Sequence, residues 1–98
     1  MASDLTKSKN LLAEPRVIAA YWGLKDIPGL DPRFYPAIPG SLADVAFQMR
    51  DACNVKDYPY IKMLDKVFAE MLYHSPSHAW ATAEEMVIAS VLAWEAGQ

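Results

Sequence analysis

Residues 82–94 read TAEEMVIASVLAW. Thr82, with Glu85 three positions later, forms the pattern of a capping box. The hydroxyl accepts from a first-turn amide, and the carboxylate reaches back to the cap's own N–H. From Met86 to Trp94 only Ser90 is polar. Successive helical residues turn by about 100°, so these side chains point around the whole axis. A helix apolar on nearly every side stands at the centre of a bundle or lies under another molecule. The chain is read here as all-α, a small bundle of about four helices, with this helix as the last.

Immediately upstream, MLYHSPSHAW (71–80) holds both histidines, His74 and His78, with Pro76 between them. An i, i+4 histidine pair binds metal when both rings share one helical face. Proline removes a helical hydrogen bond and clashes with the preceding turn, so the helix is expected to stop near His74. With no third ligand specified, the stretch reads as a corner, and no metal ligand is assigned.

Two further helices precede it. In VKDYPYIKMLDKVFAEMLYH, Pro59 suits the first turn, and Ile61, Leu64, Phe68, Met71 and Leu72 are taken as the buried face. In SLADVAFQMRDACN, Ser41 caps and Leu42, Val45, Ala46, Met49, Ala52 and Cys53 make one stripe, with Phe47 off it. The first helix lies in AEPRVIAAYWG, with Pro15 at its first position and Gly23 just past its end, and Val17, Ile18, Tyr21 and Trp22 on one face. Between helices one and two, IPGLDPRFYPAIPG (27–40) carries four prolines. They forbid a helix interior or a central strand. Its apolar residues suggest an extended segment packed across the bundle. Residues 1–10 read as a flexible tail, and residues 1–98 as a single helical domain.

Composition narrows the function. Nine basic against twelve acidic residues give a net charge of −3, too acidic to attract nucleic acid. The third helix alternates Lys with Asp and Glu, unlike a recognition helix. Cys53 is the single cysteine, so the chain forms no internal disulfide. The polar start MASDLTKSKN resembles no secretory signal, and no apolar run reaches the roughly 18 to 20 residues of a membrane span. A cytoplasmic address is expected.

No catalytic or cofactor-binding residue is assigned. Glycine-rich phosphate loops and nucleophile elbows are absent, and adjacent Glu84 and Glu85 point about 100° apart on a helix. The aromatic content, three Trp, five Tyr and three Phe, exceeds what a core this small needs. Trp and Tyr carry much of the energy at protein interfaces. Phe34, Tyr35, Phe47, Tyr60, Trp80, Val91 and Trp94 are therefore taken as partner-binding candidates. The expected function is a non-catalytic helical interaction module: a regulator, inhibitor or accessory subunit of a larger assembly, of the kind mobile elements encode. Its partner would be a protein, with copies of the chain pairing as a homodimer through the last helix. The alternative is a small-molecule-binding domain or small enzyme whose aromatic-lined site uses His78, Tyr73 or Cys53.

Overall fold

The structure is a computed structural model that describes residues 5, 7, 10–26, 36–70 and 78–98. A 3₁₀ turn at Leu11–Ala13 leads into α1 (Pro15–Leu24), followed by α2 (Leu42–Val55) and α3 (Tyr60–Glu70). A second 3₁₀ turn at His78–Trp80 precedes α4 (Ala83–Gly97). The protein is an all-helical bundle, with no strand among the described residues.

The last helix stands at the centre. The capping box at its start is formed: Glu85 N donates to Thr82 Oγ1 at 3.1 Å, and Thr82 N donates to Glu85 Oε1 at 2.8 Å. Every residue from Glu85 to Val91 is buried, as is Ala93. The helix packs against α1, α2 and α3, most extensively against α2 and α3. Three helices cover what one could not. Homodimer pairing through α4 was expected because its apolar side chains point all around the axis. The chain itself now buries them, and only Leu92 and Trp94 keep partial exposure within the apolar run. Ser90, the one polar residue in that run, donates its hydroxyl to Met86 O at 2.7 Å, and so is satisfied without leaving the core.

The other helices dock largely by their predicted stripes, with two corrections. In α1, Val17 and Tyr21 are buried, while Ile18 and Trp22 are partly so. Met71 and Leu72 of the third helix lie outside the described residues. In α2, Val45, Ala46, Met49 and Cys53 are buried, as their spacing requires. In α3 the buried residues are Tyr60, Leu64, Val67 and Phe68, whereas Ile61, expected inside, is exposed. The stripe begins one residue earlier than expected. Both 60-64-67 and 61-64-68 are helical spacings, and packing against α4 selects the arc that centres on Tyr60, Leu64 and Val67 and leaves Ile61 at its edge. In α1, Gly23 lies within the helix rather than beyond it. A Cβ there would stand 2.5 Å from the Trp94 ring, so the glycine gives α4's indole a seat. The helix ends instead at Leu24, with Lys25 as its C-cap, and Asp26 takes the left-handed conformation at φ 61°.

Charged pairs tie the elements at the rim. Arg16 of α1 donates to both carboxylate oxygens of Glu95 near the end of α4. Lys56 pairs with Asp26, linking the ends of α1 and α2. Within the proline-rich stretch, residues 27–35 lie outside the described residues. Of the remainder, Pro36 accepts a 2.7 Å hydrogen bond at its carbonyl from Trp22 Nε1, and Ile38 is partly buried against the core. Leu5, from the stretch read as a tail, is buried in the core.

Candidate functional site

Burying 45, 46, 49 and 53 leaves 47, 50 and 54 of α2 on a separate stripe, three and four residues apart. These three, Phe47, Arg50 and Asn54, form one wall of a groove of about 340 Å³. The opposite wall comes from Tyr60 and Ile61 at the start of α3, which turns in sharply after α2. Asp57 makes that turn at φ 60°, with Tyr58 N donating to Cys53 O at 2.9 Å. The remaining lining is His78, Ala79, Ala81 and Met86, supplied by the second 3₁₀ turn and the first turn of α4.

Apolar exposure concentrates around this groove. Phe47 is 50% exposed, Ile61 46% and Trp80, on the adjoining turn, 70%. Phe47 carries the Arg50 guanidinium at 5.0 Å from its ring centre, and Arg50 Nε and Nη2 both donate to Asp51 Oδ1, at 3.1 and 2.9 Å. His78 lies parallel to Phe68, centroids 6.0 Å apart, and its Nε2 is 2.6 Å from Asp65 Oδ1. The turn that presents Trp80 is thereby held to α3. Tyr60 closes the floor, where burial pushes its phenol up to about 12, opposed by the nearby Arg50 charge. The phenol is therefore a hydroxyl donor at physiological pH.

Of the partner-binding candidates, the groove brings together Phe47 and Tyr60, with Trp80 beside them. Tyr60 is itself buried and contributes a floor rather than a protruding anchor. Val91 is fully buried within the bundle, and Trp94 is half-buried against Gly23, so neither belongs to this face. Phe34 and Tyr35 lie outside the described residues, as do Tyr73 and His74. Sequence reasoning missed Ile61, Arg50 and Met86. Spacing alone could not have placed Ile61 outside, since 61-64-68 is as helical as 60-64-67, and Arg50 carries no local signal that it borders a groove.

Catalytic groups are not assembled at this place. Cys53 is buried, and its Sγ lies 3.7 Å from Ser90 O, while His78 is engaged by Asp65, so the two do not form a nucleophile–base pair. Burial pushes the Cys53 thiol up to about 11, partly offset by its contact with Ser90. A thiol in that state is a poor nucleophile near neutral pH. Among the described residues, no three His, Cys, Asp or Glu side chains are grouped to hold a metal ion, and no helix is long and apolar enough to cross a membrane. Glu85 is fully buried; its Oε1 serves the cap, and its Oε2 has no hydrogen-bond partner.

No protein-family model, curated protein or solved structure matches the chain.

Proposed function

We propose that the chain is a non-catalytic protein–protein interaction module, a regulator, inhibitor or accessory subunit of a larger assembly, acting in the cytoplasm. Its partner docks on the groove between α2, α3 and the His78–Trp80 turn. The observation that carries this reading is that two exposed large apolar side chains, Phe47 and Ile61, line one concavity, and a third, Trp80, ends the turn whose His78 and Ala79 also line it. Scattered exposed apolar residues are ordinary on a soluble domain, whereas a patch beside a groove marks a docking site. Covering each of these side chains stabilises a complex by on the order of 1–2 kcal/mol. Interface energy concentrates in aromatic side chains desolvated at the centre of a contact. Because α4 is covered by its own chain, a homodimer would pair through an exposed face such as this one rather than through α4.

A second reading is a small-molecule site. The groove's volume of about 340 Å³ supports it, falling at the lower end of the roughly 300–1,000 Å³ of ligand pockets. A ligand domain would gain melting temperature with a metabolite, and an interaction module would not.

Affinity capture from extract of the source cells, with mass spectrometry, tests the proposal. Wild type is compared with Phe47→Asp and with Val55→Asp, which alters a residue 87% exposed outside the groove lining. A protein retained by wild type and Val55→Asp but lost from Phe47→Asp is the expected result. Equal retention by all three would remove the groove as the docking site.

A further inference from the structure

The charge around the groove defines what it should take. Its lining contains Arg50 and His78 but no carboxylate. Two of the three guanidinium nitrogens of Arg50 are used by Asp51, leaving Nη1 without a partner among the described residues. The Asn54 amide and the Tyr60 hydroxyl are also unpartnered there, and both line the groove. The Tyr60 phenol and the guanidinium donate readily, and the guanidinium cannot accept at all. The remaining surface is apolar: Phe47, Ile61 and Met86.

We infer that the groove takes an acidic peptide segment, which places a large apolar side chain between Phe47 and Ile61 and a carboxylate on Arg50. The inference rests on the reading of this groove as a protein-docking site. Arg50 is suited to the role because a guanidinium can hold a second carboxylate beside the first, and its planar N–H groups match carboxylate geometry. Two features oppose it, and magnitudes decide between them. The chain's net charge of −3 repels an acidic partner at a distance, and Asp51 and Asp65 lie near the groove. Salt screens charge beyond about 8 Å at physiological ionic strength, so the diffuse repulsion is weak where the direct Arg50 contact acts. Asp51 and Asp65 are each already bound, to Arg50 and His78 respectively. A basic segment would find no carboxylate in the lining, only the neutral oxygens of Asn54 and Tyr60, and would face the Arg50 charge. An uncharged apolar segment would leave the Arg50 Nη1 group desolvated and unmatched, which disfavours it.

Selection of random dodecapeptides displayed on phage against the immobilised full chain tests this, with Phe47→Asp used to discard binders outside the groove. The selected peptides are then synthesised and titrated by fluorescence polarisation against wild type, Arg50→Gln and Arg50→Glu, each first checked for a cooperative melt. The expected outcome is a set of net-acidic peptides with one large apolar anchor. Their affinity should fall about fivefold in Arg50→Gln, the scale of one charged contact at a partly exposed site, and further in Arg50→Glu. Added salt should weaken them in wild type and have less effect in Arg50→Gln. Peptides that require Phe47 but are neutral or basic, and are indifferent to Arg50, would overturn the acidic assignment while leaving the docking site in place. Recovery of no Phe47-dependent peptide would overturn the docking site as well.

Discussion

Asp57 occupies the left-handed region at φ 60°, immediately after α2. The conformation is what lets Tyr58 N reach Cys53 O and swing α3 back against α4. Aspartate tolerates this region better than most residues, but glycine occupies it without the Cβ penalty. Asp57→Gly should therefore raise stability by about 0.5–1 kcal/mol, measured by urea denaturation, with the groove unaltered. Cys53 supplies a second test. Its thiol ionises in the folded chain only near 11, against an ordinary value of 9.0. The unfolded chain therefore releases this proton first. The stability contributed by burying the neutral thiol is whole below about pH 9 and is lost as pH rises through 11, on the order of 2 kcal/mol in all. Stability should fall more steeply across that window in wild type than in Cys53→Ala, whatever their difference at pH 7. Thiol labelling should be slow in the native protein and fast in denaturant. Rapid native labelling would show that the α2 stripe does not face the core.

α4 bears the largest share of the architecture, and its placement makes a sharp prediction. Val91 is fully buried among helices of the same chain. A carboxylate there would be unpaired in the core, a penalty that reaches the whole of a small domain's stability of about 5–15 kcal/mol. Val91→Glu should lose its cooperative thermal transition and its near-ultraviolet dichroism. A folded monomeric Val91→Glu protein would mean that the residue faces a second copy, and that the bundle's centre lies elsewhere. Much of this element-level structure was legible in the residues. Both capping boxes, Ser41 with Asp44 and Thr82 with Glu85, are local chemistry and form as the spacing requires. The α2 stripe was equally plain. What could not be read was which neighbour covers a helix that is apolar all round, because the pattern of α4 is the same whether α1, α2 and α3 or another molecule surrounds it. Gly23 misled for a related reason: as a stop signal it is local, whereas its actual role, receiving the Trp94 ring, depends on a residue 71 positions away. Ile61 misled because 61-64-68 and 60-64-67 are both helical spacings, and only the packing against α4 chooses between them. Of the candidate site, Phe47 and Trp80 were identified one by one as hard to bury. Their convergence with Ile61 and Arg50 is tertiary and had no signature in the chain.

For the molecule as a whole, the bundle completes its core internally and still leaves Phe47 and Ile61 half-exposed in one groove, with Trp80 exposed on the adjoining turn. The proposed role of this exposed apolar surface is recognition. This groove is proposed to meet another protein in the cell. The most direct measurement is site-specific photocrosslinking in the source cells, with benzoylphenylalanine replacing Phe47 in one experiment and the exposed Val55 in another. The account predicts a discrete heavier adduct from position 47, resolved by gel and identified by mass spectrometry, that position 55 does not give. Adducts of the same pattern from both positions, or none from position 47, would contradict it.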